Sequence, residues 1–168
     1  DEAAGDASDS PVAWVHDTAM RSEANNFPGR DEVNPLASRE CAADVFGQAG
    51  IVDPRAEIDV VEMYVPFSWY EPMWLESLGF AEVDHGWRMV EDGSTGIEGG
   101  DLPVNCSGGV LSSNPIGASG MIRFAEAALQ VRGMAGDHQV DGVRRAFGHA
   151  YGGGAQYFAM WVVGDQKP

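Results

Sequence analysis

The 168-residue chain is poor in lysine and cysteine, and both shortages exclude classes of function. Lys167 is the only lysine, and 10 Lys and Arg residues against 26 Asp and Glu residues give a formal net charge of -16. That negative field repels phosphate backbones, so we expect no nucleic-acid partner. Cys41 and Cys106 are too few for a disulfide framework and are typical of a reducing compartment, which predicts a cytoplasmic location.

Long apolar runs and spaced metal ligands are also missing. No segment approaches the roughly 20 apolar residues that cross a bilayer, so no membrane span is predicted. His16, His85 and His138 lack spacings such as H-x-x-x-H, and C-x-x-C does not occur, so no metal site is predicted. We expect residues 1–10, DEAAGDASDS, to form a flexible acidic lead to one domain over 11–168.

What the sequence does contain predicts strands that alternate with helices. β-branched and aromatic content predicts strands over 11–22, 57–67, 143–151 and 156–164. Helical spacing predicts helices over 35–50, with Asn34 as N-cap, over 69–79 and over 116–132. The Gly-rich stretch 81–103 is expected to be a surface excursion with one or two short strands. This order predicts an α/β fold with a largely buried sheet that ends in an antiparallel pair.

The start of the last predicted helix consists of very small residues. Gly117, Ala118, Ser119 and Gly120 stand there, although glycine costs about 1 kcal/mol relative to alanine inside a helix. We therefore expect something to approach this backbone closely. Two interpretations stay open, because the approaching group can be a ligand or, at Gly117 and Gly120, the neighbouring sheet.

Three motifs carry a resemblance to the thiolases. LPVNCSGGVLSSNPIGASG (102–120) resembles the thiolase signature N-x-x-G-G followed by G-H-P-x-G-A-[ST]-G, and HAYGGG (149–154) resembles the C-terminal C-x-G or C-G-G-G loop. EMYVPFSWYEPMWLESLGF (62–80) is placed like the E-V-H-D-C-F motif and following E-x-L-G-F of the sterol carrier protein-x type and its actinobacterial lipid-transfer relatives. The match covers only the C-terminal half of a thiolase. It implies a thiolase-like α/β fold, with a mixed sheet covered by helices as part of a layered αβαβα body.

The resemblance also implies an acyl-CoA site where these motifs meet. Small side chains at the helix start let the thioester approach free N–H groups there. The residues implied to bind coenzyme A, which enters only as part of the substrate, are Gly117, Ala118, Ser119, Gly120, Gly152 and Gly153. Asn105, the first residue of N-x-x-G-G, is implied to hold the water of the oxyanion hole. His149 is a further candidate because it resembles a residue frequent before this glycine loop.

Several site positions depart from the thiolase pattern. Asn114 stands in place of the histidine of G-H-P, and Tyr64 in place of the histidine of H-D-C-F. Tyr151 stands where thiolases carry the C-terminal acid/base cysteine, and Pro66 where the sterol carrier protein-x type has its alternative one. An amide donates a hydrogen bond but takes up no proton near pH 7, whereas a phenol can act as acid or, with a lowered pKa, as base. Claisen chemistry is therefore compromised, while proton transfer with a hydroxyl is not.

The candidate catalytic residues also have structural interpretations, which stay open. Tyr64 and Tyr151 can end strands with their hydroxyls on carbonyls. Asn105 and Asn114 are ordinary turn residues, since both stand close to Gly or Pro. His149 can be a packed core histidine.

Other reactive side chains are given structural roles. Cys106 lies beside Asn105, but the family needs no cysteine there, and Cys41 sits at core spacing on a helix. The acidic residues near the motifs are expected on solvated faces or at helix caps; they include Glu62, Glu71 and Glu76.

The resemblance leaves two classes of function. The first is an enzyme that breaks a carbon–carbon bond in an acyl-CoA, either a retro-aldolase acting on a β-hydroxyacyl-CoA, with a steroid side chain as the suggested substrate, or a β-ketoacyl-CoA thiolase. The second is a non-catalytic subunit that binds acyl-CoA or lipid. The missing N-terminal half or a homologous subunit is the implied partner, with dimerisation of the thiolase bodies. A small protein with a zinc ribbon and an OB-fold is a further implied partner, for which the sequence offers the aromatic cluster Trp69, Tyr70, Trp74, Phe80 and Trp87.

Overall fold

The computed structural model describes residues 2–24 and 28–168, and in that part of the chain it shows one four-stranded mixed sheet. The strands are β1 (Trp14–Ser22), β2 (Val60–Met63), β3 (Arg145–Gly152) and β4 (Tyr157–Gly164). Their order in the sheet is β1-β4-β3-β2, with β2 and β3 parallel and the other two pairs antiparallel. The predicted α/β class and the closing antiparallel pair are confirmed.

Helices cover both faces of this sheet. The described helices are α1 (Glu2–Asp6), α2 (Leu36–Gln48), α3 (Pro54–Glu57), α4 (Tyr70–Ser77), α5 (Gly86–Glu91), α6 (Gly109–Ser112) and α7 (Ser119–Val131), followed by a 3-10 turn (Gly136–His138). Alternate strand residues point to opposite faces. Val61 and Met63 therefore pack in the core with α2 and α4, whereas Val60 packs with Ala127 and Val131 of α7.

Two of the predicted strands are wrong in extent or kind. The strand predicted over 57–67 is only Val60–Met63, because Asp53 accepts hydrogen bonds from Arg55 N and Ala56 N and starts helix α3 instead. The described residues of 81–103 contain helix α5 and no named strand. This helix packs so closely on α4 that a Cβ atom at Gly86 would collide with Pro72 O.

The starts of two helices also differ from the prediction. Asn34 does not cap α2, because the extended Pro35 precedes the first helical residue and the cap contact comes from another element. Glu23, just after β1, accepts a hydrogen bond from Ala37 N at 3.0 Å. The helix predicted over 116–132 begins at Ser119, after the separate short helix α6.

The side of helix α7 that faces the sheet combines polar residues with the apolar Ala127 and Val131. Its buried residues include Ser119, Arg123, Glu126 and Gln130, whereas Met121 and Ile122 are exposed. The helix therefore also carries apolar side chains on a side that the described residues leave exposed. An apolar helix face left open to water costs stability unless another surface covers it.

The acidic N-terminal residues lie against the end of the chain. Lys167 Nζ is 3.0 Å from Glu2 Oε1 and 2.7 Å from Asp6 Oδ2, and it lies over the ring of Trp14. The predicted domain limits at 10 and 11 stay a prediction, and residue 1 lies outside the described residues. In the described part of the chain, no helix is long and apolar enough to cross a bilayer.

Candidate functional site

The two candidate tyrosines meet at one edge of the sheet. Tyr64 directly follows β2, and Tyr151 is close to the end of the parallel strand β3. The ladder continues to this point, since Tyr64 N donates to His149 O at 3.1 Å. The carboxyl ends of parallel strands are a common place for ligand sites in α/β folds.

Asn114 joins this edge of the sheet to the start of helix α7. Its Oδ1 atom accepts hydrogen bonds from the Tyr64 hydroxyl at 3.2 Å and from the Ser119 hydroxyl at 2.6 Å. Both hydroxyls act as donors here, and the Asn114 oxygen is their shared acceptor. The Asn114 NH2 group has no hydrogen-bond acceptor among residues 2–24 and 28–168, and the residue is exposed. This donor therefore remains free to bind a ligand oxygen.

Asn105 is fixed to the end of β2. Its backbone has a left-handed φ of 54°, and its Oδ1 atom accepts a hydrogen bond from Met63 N at 2.7 Å. A Cβ atom at Gly109 would lie 3.1 Å from Asn105 Cγ, which explains a glycine at that position of the turn. The side-chain oxygen is thus committed to the protein. A contact of Asn105 with an oxyanion-hole water stays a prediction.

The small residues before α7 separate into packed and open positions. A Cβ atom at Gly120 would lie 3.0 Å from Ala150 Cβ, so this glycine allows helix α7 to approach strand β3. At Gly117 the nearest described atoms outside its own stretch are beyond 4 Å, and Ala118 is exposed. Packing on the sheet therefore explains Gly120, but it does not explain Gly117.

The glycine loop at the end of β3 also combines an open position with a packed one. Gly152 has open space at its Cβ position, whereas Gly153 has a φ of 63° and a Cβ position 3.0 Å from the ring of Tyr157. A positive φ favours glycine whatever the ligand. Binding of coenzyme A by these glycines and by the α7 start stays a prediction.

Burial holds Tyr151 and His149 in their neutral forms. Burial and then contact with Tyr70 raise the pKa of Tyr151, so its phenol keeps its proton. Burial lowers the pKa of His149 to about 3. Its ring packs between Trp74 and Phe158, with centroids 5.1 and 5.9 Å away, and neither ring nitrogen has a hydrogen-bond partner among the described residues. This geometry favours the interpretation of His149 as a packed core histidine.

Both thiols lie in the core and not in the tyrosine–asparagine cluster. Cys41 packs among the α2-side residues, and Cys106 packs with Val60 and Ala127 on the α7 side. Burial raises the pKa of each thiol to about 12, which keeps the nucleophilic thiolate form rare at neutral pH.

One residue next to the site was misjudged from the sequence. Glu62 was expected on a solvated face, but its side chain is fully buried and its Oε2 atom is 3.2 Å from Arg123 Nε. Glu62 is two residues before Tyr64, and Arg123 is four residues after Ser119. Each pair repeats the periodicity of its element, so all four side chains share one strand–helix contact.

The candidate site is an open surface. Residues 111–118 are all exposed. Two cavities, of about 590 and 620 Å³, lie near the other end of the sheet, around Arg144 and Trp14, and no candidate site residue lines them. A site of this kind needs a second surface before it can enclose a ligand.

Known proteins match this chain over most of its length. The thiolase C-terminal domain-like family matches residues 19–165. Acetyl-CoA acetyltransferase of Methanothermobacter thermautotrophicus is 37% identical over 147 residues, which are 86% of this chain and 37% of that protein. Sterol carrier protein 2 of Homo sapiens is 36% identical over 129 residues, which are 76% of this chain and 23% of that protein. The solved structure of an Ltp2-ChsH2(DUF35) aldolase has a TM-score of 0.76 at 23% identity, and the match covers 92% of this chain and 40% of that one.

The fold is therefore thiolase-like, and the predicted resemblance is confirmed. The chain belongs to the thiolase C-terminal domain-like family. It spans 37% of the acetyltransferase and 23% of the human sterol carrier protein that it matches.

Proposed function

We propose that this chain is the acyl-CoA-binding part of a carbon–carbon lyase of the thiolase superfamily, which cleaves a β-hydroxyacyl-CoA by a retro-aldol reaction. The observation that carries the proposal is the cluster of Tyr64, Asn114 and Tyr151 at the ends of two parallel strands. It contains two phenols for proton transfer and one free amide donor. Because the chain spans less than half of its relatives, the complete activity belongs to an assembly with a second half.

The alternative thiolase reaction needs groups that this cluster lacks. Thiolysis requires a nucleophilic cysteine activated by a base, then a second acid or base for the departing enolate and the incoming thiol. Asn114 takes up no proton near pH 7, and Tyr151 stands where thiolases carry the C-terminal acid/base cysteine. These properties favour a reaction without a covalent intermediate.

The proposed cleavage needs one base, one acid and one oxyanion donor. The base takes the proton of the β-hydroxyl, the oxygen forms the carbonyl of the departing aldehyde or ketone, and the Cα–Cβ bond breaks. The electrons of that bond pass to Cα and the thioester oxygen as an enolate. A proton delivered to Cα then completes the shortened acyl-CoA.

The positions of the three side chains suggest a division of these roles. Tyr151 keeps its proton because burial raises its pKa, so it suits the protonation of Cα. Tyr64 is half-buried beside the open side of the site, and we assign to it the removal of the β-hydroxyl proton. The free NH2 group of Asn114 donates to the enolate oxygen, with Asn105 assisting through a water.

The test compares two substrates on the complete assembly. We expect cleavage of a β-hydroxyacyl-CoA without free CoA, and a loss of about 10²-fold or more when Tyr64→Phe and Tyr151→Phe are combined. Tyr157→Phe is the matched control, because Tyr157 is exposed and lies outside the cluster. Cleavage of a β-ketoacyl-CoA with CoA alone would instead identify a thiolase. Acyl-CoA binding in a titration without turnover of either substrate would identify a non-catalytic subunit.

The substrate and the small partner are further parts of this proposal. We propose a small zinc-ribbon and OB-fold protein as partner, since the name of the aldolase of similar fold includes a second component. A steroid-derived acyl-CoA is the proposed substrate, on the resemblance to the lipid-transfer relatives. In the aromatic cluster, Trp74 and Phe80 are buried, while about half of Trp69 and Trp87 is exposed. The available surface is therefore limited to these two rings with Phe67.

Co-purification of the complete protein from its source tests the partner. We expect a small zinc-containing protein with the wild type, and less of it with Trp69→Ala, while Val52→Ser on another exposed surface leaves the amount unchanged. Purification of the wild type without any such protein would remove this part of the proposal. A steroid-derived and a straight-chain β-hydroxyacyl-CoA, compared by kcat/KM, test the substrate class.

A further inference from the structure

A buried ion pair joins strand β2 to helix α7 behind the candidate site. Arg123 Nε is 3.2 Å from Glu62 Oε2, and the side-chain exposures are only 3% and 0%. Removing two opposite charges from water is costly, and a well-packed apolar pair often holds two elements together equally well. Stability alone therefore does not account for this pair.

Glu62 also holds the turn that carries Asn105. Its carboxylate accepts hydrogen bonds from Ser107 N at 3.1 Å and from Ser107 Oγ at 2.8 Å. The same Ser107 hydroxyl accepts a hydrogen bond from Gly109 N at 3.1 Å. Asn105 and Gly109 both have left-handed backbones, with φ values of 54° and 59°, so the turn needs fixed contacts to keep its shape.

The ion pair and the candidate site are neighbouring parts of one contact. Glu62 and Tyr64 are two residues apart on the extended chain, and Ser119 and Arg123 are four residues apart on the helix. Tyr64 and Ser119 donate hydrogen bonds to Asn114. Two residues earlier on the strand and one turn later on the helix, Glu62 pairs with Arg123. The ion pair fixes the position of α7 relative to β2, and that position in turn fixes Asn114 relative to Tyr64.

We propose that Glu62 and Arg123 are positioning residues that keep the Asn105 turn and the Asn114 amide in their working places. This inference rests on the proposed function for its kinetic consequence, but its structural part does not depend on any reaction. Neither residue touches the substrate. Their effect passes through Ser107 to the turn and through α7 to Asn114.

The main test is the double variant Glu62→Leu with Arg123→Met, which removes both charges and the two acceptors of Ser107 and leaves no single charge buried. We expect kcat of the complete assembly to fall by at least about 10-fold with KM changed less than about 2-fold, since small misplacements of reacting groups cost up to about 10²-fold. The unfolding midpoint stays unchanged. The single variant Arg123→Lys keeps the charge pair and should retain most of the wild-type kcat. Arg144→Met, at an exposed ion pair with Asp165 near the other end of the sheet, is the matched control.

Hydrogen exchange gives a readout that needs no turnover. In the double variant we expect the amides of Ser107 and Gly109 to exchange at least about 10-fold faster, with strand β4 unchanged. Unchanged exchange at both amides would overturn the proposal, as would a parallel fall of kcat, KM and stability. If the wild-type assembly cleaves no acyl-CoA, the proposed reaction fails, and the exchange rates still decide whether the pair holds the turn. If the double variant does not fold, Glu62→Gln alone is measured by the same two criteria.

Discussion

The rings of Tyr64 and Tyr151 meet edge to face, with their centroids 5.1 Å apart. They stand at the ends of neighbouring parallel strands, and only Tyr64 is bonded to Asn114. Two chemically identical side chains thus have different surroundings, which is the usual way in which one becomes a base and the other an acid.

The free donor of Asn114 can be tested by a change of one atom. Asn114→Asp keeps an oxygen for the Tyr64 and Ser119 hydroxyls but loses the NH2 group. We expect kcat for β-hydroxyacyl-CoA cleavage to fall by about 10²-fold to 10³-fold, the usual effect of removing one oxyanion donor. Ser113→Ala, at the adjacent exposed residue, serves as the control. Activity of Asn114→Asp within about 3-fold of wild type would contradict the assigned role.

Gly117 and Gly120 provide a matched pair for the coenzyme A site. Gly120→Val places side-chain atoms against Ala150 and should lower the free energy of unfolding by about 1–3 kcal/mol. Gly117→Val meets open space, so we expect little change in stability but at least about 10-fold weaker acyl-CoA binding by the assembly. Denaturant unfolding and a binding titration measure the two effects. Unchanged affinity in Gly117→Val would exclude close approach of the ligand at this residue.

His149 should make the protein sensitive to moderate acid. Its pKa is about 3 in the folded protein and 6.5 in its reference state, so between these values only the unfolded chain holds the proton. Its contribution to stability is complete above pH 6.5 and falls by about 1.4 kcal/mol per pH unit as the pH drops towards 3. We expect His149→Phe, which suits the surrounding rings, to flatten the pH dependence of unfolding in this window.

The control for this experiment is His85→Gln, because the ring of His85 bonds only to the nearby Val83 O among the described residues. Its stability should follow the wild-type pH curve. Carboxyl groups such as Glu62 contribute equally to all three curves. The same slope in His149→Phe as in wild type would show that His149 titrates normally.

The exposed apolar face of α7 predicts an obligate interface. Met121 is 69% exposed there, beside Ile122 and the loop residue Ile116. We expect a partner half or subunit to cover this face, with well over about 2,000 Å² buried in total. Met121→Glu should shift the assembly towards smaller species in sedimentation, whereas Met20→Glu, at a 74% exposed position on β1, should not. A stable dispersed monomer of the wild-type chain would argue against the interface.

The sequence predicted the strands and helices wherever local chemistry decided them. Strands β1, β3 and β4 were predicted because aromatic and β-branched residues between Gly and Pro signals are typical of strands. The length of strand β2 was overestimated, because Asp53 caps helix α3 and residues shortly before the strand are helical. The cap of α2 was missed because Glu23 supplies it from 14 residues away. Only the folded chain brings those two residues together.

The residues of the candidate site could be predicted from the sequence, but the hydrogen bonds between them could not. The motifs singled out Tyr64, Asn114 and Ser119, yet nothing local indicated that two hydroxyls converge on one amide oxygen. Glu62 was missed because an isolated acidic residue is normally solvated, and only the register between β2 and α7 places Arg123 beside it. The exposure of Met121 and Ile122 on α7 could not be predicted for a related reason. Periodicity shows that a face is covered, but not by which neighbour.

The ion pairs of Lys167 have a practical consequence for labelling. Because the chain has no other lysine, an amine-reactive dye or surface linker has one side-chain target. That target follows the far end of β4, on the order of 25 Å along the strand from its start beside the tyrosines. Contact with Asp6 and Glu2 raises the pKa of this amine, so coupling will be slow at neutral pH and will need alkaline buffer. A protein attached through Lys167 would present both its tyrosine edge and its α7 face to whatever is passed over it.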